Sequence, residues 1–448
     1  METINNYLSG SIVPIAIAVC AFLFMIVLCG LPLIKPIKMM KLLLEKSKGN
    51  GSSIRAVIFA LAGTLGVGNI VGVASAIAMG GAGALFWMWV SAFLAMILKY
   101  CEVVLAVVHR RTRGGEYYGG AMYYMKDYFN SCQKFTIGTL FSLIFVVLCL
   151  LNAITMGCMI QSNSISTSLN TAMGFDMKSA GIWVALLAAF VFFFKGKSLF
   201  SLCEKLVPFV SSLYIGMCLI VIFSSYDEMG RILEKIIKDA FSVDSAGAGL
   251  FGFLISRAIR FGTVRGLFSN EAGCGTSPIA HATSNTDSPC KQGILGIIEV
   301  FIDTIVVCTL TAFVVLKNED VISQYTNEPM LIVAKSFERE LGTVSVIILA
   351  LCVFLFAFAT IICWGFYGKE CVYFFSKKIK SEKIYYAFYV AMTFVGAFVS
   401  MDLVWQIADF VVGAMVLMNL YVLWKLRSEI KRETFLRFEK RASRKGSS

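Results

Sequence analysis

Charged residues are scarce in this chain of 448 residues. Asp, Glu, Lys and Arg together account for 15% of it, whereas about a quarter of a typical soluble domain is charged. Hydrophobic residues account for 58%, and no loop between the apolar runs is longer than about 30 residues. This composition excludes a soluble globular protein and leaves no room for a soluble domain between the apolar runs.

Motifs of enzymes and metal sites are also missing. The chain has no HExxH, no GxSxG and no pair of histidines with metal spacing, and none of its 14 cysteines forms a CxxC pair. The glycines of GVGNIVG (residues 66–72) have the wrong final spacing for a dinucleotide fingerprint, and no strand precedes them. We therefore expect no catalysis, no organic cofactor, no metal other than a transported ion and no disulfide.

Apolar runs of about 20 residues recur along the chain, which is typical of a helical protein that crosses a membrane many times. The first run lacks the basic flank and cleavage site of a signal peptide, so we expect it to remain as a span. We predict an all-α polytopic fold with about eleven transmembrane helices, near residues 11–34, 54–80, 83–108, 136–160, 180–194, 205–224, 248–283, 293–316, 343–367, 384–402 and 404–425.

The net charge of +12 is distributed unevenly between the loops. Loops 225–246 and 317–342, on one side of the predicted membrane, contain as many acidic as basic residues or more. Cytoplasmic loops carry the excess of Lys and Arg, so we predict the N-terminus outside and the basic tail 426–448 inside. The tail can also contact anionic lipid, and we expect no nucleic-acid partner. The basic loops on the other side are 35–55, 109–135, 195–197 and 368–383.

Two predicted spans are interrupted by glycine and polar residues. One contains TLGVGNIVGVAS (residues 64–75), and the other, 248–283, has glycines at 262, 266, 273 and 275. Each opens a set of five spans, and the loop charges give the two sets opposite orientations, as in the inverted repeats of secondary transporters. We predict repeats at 54–224 and 248–425, with residues 1–53 forming an additional helix and a basic loop.

Interrupted helices release backbone N–H and C=O groups, which a bilayer tolerates only where they are buried in protein or line a cavity. The N-terminus of a half-helix favours an anionic group, and released carbonyls favour a cation. A zwitterion that travels with Na⁺ would use both. The alternative is close helix packing through the GxxxG pair of Gly68 and Gly72. Two interruptions at matching positions of inverted halves favour the ligand site.

Ionisable residues in the predicted spans have structural and functional interpretations. We expect Lys99 and Glu102, one turn apart, to form an ion pair. Glu299 and Asp303 either satisfy released backbone groups, which we favour, or relay protons. At least one of the arginines of the interrupted seventh span is expected to pair with Glu271 or Asp303; these arginines are Arg257, Arg260 and Arg265.

Polar residues at two further places have similar alternatives. His281, just past the second interruption, is expected to be hydrogen-bonded, with proton coupling as the alternative. Gln161, Ser162 and Asn163 are expected at the end of the fourth span, where such residues commonly cap a helix.

Five stretches together resemble the alanine or glycine:cation symporter family, in order, over nearly all of residues 55–425. The resemblance implies a sodium-coupled importer of small neutral amino acids, alanine and glycine, in a bacterial or archaeal inner membrane. It also implies the leucine-transporter-type fold of inverted five-helix repeats with one helix added in front. We expect a monomer. The five stretches are ALAGTLGVGNIVGVASAIAMGGAGALFWMWV, GGAMYYM, GLFSNEAGCGTSPIAHA, FIDTIVVCTLTAFVVL and FAFATIICWGFYGKEC.

The resemblance also implies functional residues. Backbone amides of the turn formed by Gly66, Val67, Gly68 and Asn69 would hold the substrate carboxylate. The rest of the pocket wall would be Gln161, with Phe261 and Gly262 at the second interruption, and Trp364 would lie over it. Sodium would bind oxygens of Ala62, Leu65, Ala357 and Thr360, since uncharged oxygens suit a monovalent cation that must also leave. The residues that would have gating or structural roles are Lys99, Glu102, Arg265, Asn270, Glu271 and Asp303.

The chain departs from the family pattern at three positions. Val67 occupies the position of the threonine in the family's usual GTGN motif. A hydroxyl near the pocket is therefore missing, which bears on substrate preference or sodium affinity. Ala82 and Ala121 replace prolines of loops. None of these changes alters the expected class of protein.

Three alternatives to a sodium symporter stay open at this point. A proton-coupled transporter would use His281, Glu299 or Asp303. A channel is disfavoured because no continuous polar stripe crosses the spans. A sensor of amino acids that transports nothing is disfavoured because the chain has no soluble signalling domain.

Overall fold

The computed structural model describes residues 5, 7–30, 43, 50–194, 199–241 and 257–445. Several predicted features lie outside the described residues. These are most of the basic loop 35–55, the loop 195–197, the end of loop 225–246, residues 248–256 of the seventh predicted span and the last three residues of the tail.

Helices make up nearly all of the described chain. A π-helical turn, Leu8–Ile12, precedes the first α-helix, and a two-stranded antiparallel hairpin, β1 (Arg111–Arg113) and β2 (Glu116–Tyr118), follows α4. The α-helices are α1 Val13–Val27, α2 Asn50–Thr64, α3 Val71–Gly80, α4 Ala84–Val108, α5 Ala121–Ser131, α6 Phe135–Asn152, α7 Ile160–Met173, α8 Met177–Phe194, α9 Leu199–Ser224, α10 Tyr226–Ala240, α11 Arg257–Asn270, α12 Pro278–His281, α13 Pro289–Val300, α14 Thr309–Leu316, α15 Glu319–Gln324, α16 Pro329–Leu341, α17 Val344–Phe375, α18 Ile379–Gly396, α19 Asp402–Lys425 and α20 Arg427–Lys445.

Within the described ranges, eight helical segments are long and apolar enough to cross a membrane. A ninth span results if α2 and α3, which meet at a bend of 63°, are counted together. Two predicted spans fall short for visible reasons. The described part of α11 has only 14 residues, and α18 carries Lys380, Glu382 and Lys383 within its 18. The all-α multi-pass class is confirmed, and the count of eleven stays a prediction.

Both interruptions have a local conformational cause. After α2, Gly66 adopts an extended conformation (φ −120°, ψ −152°), and a 3₁₀ turn, Val67–Asn69, leads into α3. After α11, residues 271–277 leave the helix, with left-handed φ at Gly273 (84°) and Gly275 (79°). Glycine accepts this conformation without the steric cost that other residues meet.

The fourth predicted span continues beyond its expected end. Helix α6, a π-helical segment at Ala153–Met159 and α7 form one continuous helical segment, Phe135–Met173. Gln161 and its neighbours therefore lie inside a helix. The expected end of the span near residue 160 is wrong, and this excludes the alternative that these residues cap a helix end. The segment ends instead at Gly174, which is left-handed (φ 65°) as helix C-termini often are.

Helix α17 is the central element of the bundle. It contacts α2, α6, α7, α9 and α18, and most of its side chains are buried. Because lipid is as apolar as a leucine side chain, close packing holds such helices together. Gly157, in the π-helical segment, allows this packing: a Cβ added there would lie 2.5 Å from Cβ of Trp364.

Helix α20 is attached to the end of α4 by a polar cluster. His109 Nδ1 lies 2.9 Å from Asp127 Oδ2, and His109 Nε2 lies 3.2 Å from Glu429 Oε2 at the start of α20. Burial lowers the pKa of His109, but the hydrogen bonds to these two carboxylates outweigh it and raise the pKa to about 9. The imidazolium therefore links α4, α5 and α20.

This link predicts that α20 detaches at alkaline pH. The pKa of His109 is about 6.5 in an unfolded chain, so its contribution is complete below about pH 6.5 and is lost as pH rises through about 9. Amide hydrogen exchange of α20, corrected for intrinsic rates, should increase between about pH 7 and about pH 10. His109→Gln should show fast exchange at both values, and equal protection in the two proteins would contradict the assignment.

Candidate functional site

The two interruptions face each other in the middle of the bundle. Asn69 Nδ2, from the first, donates to Ser269 Oγ (2.9 Å) at the end of α11 and to Asp303 Oδ1 (2.8 Å). Ser269 Oγ in turn donates to Asp303 Oδ2 at 2.6 Å. Asp303 belongs to a π-helical segment, Phe301–Cys308, that joins α13 to α14. Three elements distant in sequence thus share one buried polar cluster.

Backbone amides of the first interruption are hydrogen-bonded to side-chain amide oxygens. Gly66 N donates to Asn69 Oδ1 at 3.2 Å, and Val67 N donates to Gln161 Oε1 at 3.3 Å. Gln161 is held by a bond from its Nε2 to Met156 O (3.2 Å). The two side-chain oxygens occupy positions on these amides that the oxygens of a carboxylate could take.

Thr360 of α17 completes the group around Gly66. Its hydroxyl donates to Ala62 O at 2.9 Å, and a Cβ added at Gly66 would lie 2.8 Å from Thr360 Oγ1 and 3.1 Å from Gln161 Oε1. Leu65 and Ala357 are buried beside them, one next to Gly66 and the other one turn before Thr360. The structure therefore brings uncharged oxygens of α2 and α17 together next to the amides of the turn.

Trp364 is fully buried one turn beyond Thr360. It packs edge-on against Tyr367, with ring centroids 5.3 Å apart, and against Gly157, which lies one turn before Gln161. Among the described residues, its indole N–H has no hydrogen-bond partner. The residue thus packs against the π-helical segment about one turn from Gln161.

Phe261 and Gly262 lie elsewhere, and the expected interruption beside them is wrong. Helix α11 runs unbroken through both positions, and the interruption begins at Glu271. A Cβ added at Gly262 would lie 2.3 Å from the carbonyl oxygen of Ala84, and Phe261 packs against Gly80 at the end of α3. The two residues serve the contact of α11 with α3 and α4, and the structure does not bring them to residues 66–69.

Two other residues of α11 do reach the turn, and the sequence analysis missed them. A Cβ added at Gly68 would lie 3.6 Å from Ser269 Cα and 3.9 Å from Phe268 Cδ1. Phe268 also packs on Trp405, with ring centroids 4.8 Å apart. Both residues immediately precede the motif residues Asn270 and Glu271, and the left-handed Glu271 (φ 52°) marks the end of the helix.

A second buried cluster surrounds Lys99. Its Nζ lies 3.3 Å from Glu299 Oε1 and 3.8 Å from Glu102 Oε1, which confirms the predicted ion pair and adds a second carboxylate. Glu299 also accepts from Ser277 Oγ (3.0 Å) and lies 2.7 Å from His281 Nε2. Since Gln292 Nε2 lies 2.9 Å from His281 Nδ1, both ring nitrogens of the histidine are hydrogen-bonded.

Released backbone of the second interruption is satisfied by residues other than Glu299 and Asp303. Glu102 Oε2 accepts from Gly275 N at 3.1 Å and from Asn419 Nδ2 at 2.9 Å. Asn270 Oδ1 accepts from Ala272 N at 3.1 Å, and Asn270 Nδ2 donates to Thr304 Oγ1. The expectation that Glu299 and Asp303 bond released backbone is therefore wrong, because their carboxylates bond side chains instead.

Arg265, one of the three candidate arginines, has neither Glu271 nor Asp303 as a hydrogen-bond partner among the contacts of the described residues. Glu271 accepts from Thr276 Oγ1 at 2.7 Å, and Asp303 bonds Ser269 and Asn69 as described above. The guanidinium of Arg265 instead lies 4.6 Å from the ring centroid of Trp405 and interacts electrostatically with Asp409 of α19.

Two cavities are lined by the helices that meet at the first interruption. The larger, of about 890 Å³, is lined by α3, α7, α11, α16 and α19, and we name it the α7–α16 cavity. The smaller, of about 470 Å³, is lined by the start of α2, the β-hairpin and the end of α17, and we name it the hairpin cavity. Val71 of α3 lines the first and Ala56 of α2 the second, so each of the two helices that residues 66–69 join lines one cavity.

An α-helical multi-pass fold with interrupted helices in its interior is typical of membrane transporters. Residues 1–447 match the sequence model of the sodium:alanine symporter family. The sodium/alanine symporter AgcS of Methanococcus maripaludis is 36% identical, over 87% of this chain and 85% of its own length. A Bacillus subtilis protein named "Probable sodium/glutamine symporter GlnT" is 33% identical, over 85% and 77% respectively.

The chain therefore belongs to the sodium:alanine symporter family, which confirms the resemblance noted in its motifs. It is a cation-coupled amino-acid transporter. Among its other relatives, an uncharacterized transporter of Haemophilus influenzae is 36% identical over 86% of this chain and 84% of its own.

The cluster around Lys99 predicts a large loss of stability when its cation is removed. Lys99→Met would leave Glu102 and Glu299 buried without a counter-charge, which typically costs about 3–5 kcal/mol of unfolding free energy. Thermal unfolding in detergent should show this loss, and adding Glu299→Gln should restore part of it. Lys238→Met, which removes an exposed ion pair with Glu234, is the matched control and should leave the midpoint unchanged.

Proposed function

We propose that this protein is a sodium-coupled symporter that imports small neutral amino acids, alanine and glycine, by alternating access. The observation that carries the proposal is the Thr360 hydroxyl on the Ala62 carbonyl, beside the backbone amides of Gly66 and Val67. It supports a site in which the oxygens of Ala62 and Thr360, suited to Na⁺, lie beside the amides of Gly66 and Val67, suited to a carboxylate.

Sodium binds between α2 and α17 in this proposal. Its ligands are the carbonyl oxygens of Ala62, Leu65 and Ala357 and the hydroxyl oxygen of Thr360. The hydroxyl proton of Thr360, now given to Ala62 O, turns to Phe356 O, which lies at 3.1 Å. Oxygens without a full charge bind the ion weakly enough for it to leave on the other side.

The substrate carboxylate binds the turn at residues 66–69. It accepts from the N–H groups of Gly66 and Val67 and displaces the side-chain oxygens of Asn69 and Gln161 from them. Asn69 stays in place during the exchange because its Nδ2 remains bonded to Asp303 and Ser269. Since the amides of the turn also belong to the segment that carries the sodium ligands, the two ligands lie next to each other.

Proximity of the two ligands provides the coupling. Opposite charges attract more strongly away from bulk water, so bound Na⁺ raises the affinity for the carboxylate. By reciprocity, the substrate raises the affinity for Na⁺ by the same factor. Together the two ligands shift the equilibrium between the outward-open and the inward-open form, to the extent that they bind one form more tightly than the other.

The two cavities are the access routes of the proposed cycle. The hairpin cavity is lined by Arg55, Arg113 and Lys369, and the positive-inside rule therefore supports a cytoplasmic position for it. The α7–α16 cavity then faces outside, as does the N-terminus. In this proposal the repeats 54–224 and 248–425 open one route while closing the other.

Substitution of Thr360 tests the sodium site. Thr360→Ala should raise the Na⁺ concentration for half-maximal alanine uptake by about 10- to 100-fold. This is the usual loss of affinity when one polar contact to a charged group is removed. Thr360→Ser keeps the oxygen and should stay close to wild type. Uptake into proteoliposomes at graded Na⁺ concentrations gives the measurement.

Thr393→Ala is the matched control for Thr360→Ala. Thr393 is also fully buried, and its hydroxyl donates to a carbonyl of its own helix, Tyr389 O at 2.9 Å. Wild-type sodium dependence in Thr360→Ala would refute the site. Asn69→Ala should abolish uptake at every Na⁺ concentration, because the turn loses its connection to Ser269 and Asp303.

A further inference from the structure

The α7–α16 cavity is lined by residues that neighbour the proposed substrate site in sequence. Ile160 in its wall precedes Gln161, Val71 is two residues beyond Asn69, and Arg265 lies one helical turn before Ser269. A solute in the cavity therefore contacts three of the segments that also form the site around residues 66–69.

The two cations that line this cavity differ in their partners. Lys335 Nζ is paired with Glu338 Oε2 at 2.7 Å. Arg265 Nη1 is buried and, within the described part of the chain, has no hydrogen-bond partner. A buried N–H of a charged group without an acceptor is unfavourable, so this nitrogen is suited to an acceptor that arrives from the cavity.

Aromatic rings fix the guanidinium of Arg265 in its position. It lies 4.6 Å from the ring centroid of Trp405 and 5.8 Å from that of Phe268. Such contacts stabilise a guanidinium while leaving its N–H groups available for hydrogen bonds in the plane. Phe268 also borders Gly68, so the same ring contacts the arginine and the turn.

We propose that Arg265 binds the α-carboxylate of the incoming amino acid at the base of the α7–α16 cavity, before the substrate reaches the turn. The inference rests on the proposed function and adds a second carboxylate site to it. A guanidinium offers paired donors that match the two oxygens of a carboxylate. In this structure the turn amides are bonded to Asn69 and Gln161, whereas Arg265 Nη1 is not bonded, so the carboxylate meets the arginine first.

Kinetics of alanine uptake test this assignment. Arg265→Gln should raise KM about 10-fold or more, the usual effect of losing a hydrogen bond to a charged group, while Vmax changes little. Arg265→Lys keeps the charge but not the paired donors and should give a smaller increase. Lys335→Gln, which removes the other cation of the cavity, should leave KM unchanged.

Asp409→Asn separates binding from a structural role. It removes the electrostatic partner of Arg265 but keeps the guanidinium, so a carboxylate-binding arginine predicts an unchanged or lower KM. An equal rise of KM in Asp409→Asn and Arg265→Gln would overturn the assignment. It would indicate that Arg265 acts through its interaction with Asp409 and does not bind the substrate. If Arg265→Gln does not fold, the comparison is made with Arg265→Lys.

Failure of the inference and failure of the proposed function give different results. Normal sodium-dependent uptake by wild type, with an unchanged KM in Arg265→Gln and Arg265→Lys, overturns the arginine site alone. Absence of alanine uptake by wild type overturns the proposed function and this inference with it. Competition by alaninamide provides a second readout: lacking a carboxylate, it should compete weakly in wild type, and the advantage of alanine over it should decrease in Arg265→Gln.

Discussion

Released backbone at two interrupted helices is the constraint on which the rest of this structure depends. Lipid cannot satisfy such N–H and C=O groups, and each costs several kcal/mol if it stays unpaired. The protein satisfies them with buried polar side chains: Asn69 and Gln161 at the first interruption, Glu102 and Asn270 at the second. These side chains need partners in turn, which explains why so many polar residues are buried in an otherwise apolar bundle.

The same constraint connects the two halves of the molecule. Asn69 of the first interruption bonds Ser269 and Asp303, and Glu102 of α4 accepts from Gly275 N of the second, so each interruption is bonded to residues from a distant part of the chain. A ligand that displaces the side-chain oxygens of Asn69 and Gln161 from the turn amides therefore acts on residues that are bonded to distant parts of the chain. This is a physical route by which small ligands can bias a large movement.

Features of the molecule that depend on composition and on local motifs can be predicted from the sequence. The multi-pass class, the first interruption and the meeting of Gly66, Gln161 and Thr360 were all accessible, because glycine at membrane depth and a family motif have few interpretations. The position of the second interruption was not accessible from glycine content alone. Gly262 and Gly266 lie in an unbroken helix and serve close packing, and only the left-handed residues from Glu271 onward end it.

Other differences arise from tertiary contacts that a linear pattern does not contain. Gln161 looked like a helix cap because its neighbours are polar, yet a π-helical segment carries the helix past it and turns its side chain toward Val67. Proximity in sequence made Arg265 a candidate partner of Glu271 or Asp303. In the structure it contacts Trp405 and interacts with Asp409, and both belong to α19, far along the chain. Phe268 reaches the turn and Phe261 does not, because Phe268 lies about two helical turns further along α11, beside Ser269 at the end of the helix.

Accumulation of radiolabelled alanine in proteoliposomes tests the central claim most directly, with an inward Na⁺ gradient compared with a K⁺ gradient and with a pH gradient. The account predicts accumulation with Na⁺ alone, with competition by glycine and none by leucine. Accumulation driven by a pH gradient without Na⁺ would contradict the sodium site at Ala62 and Thr360 and would assign coupling to the buried carboxylates.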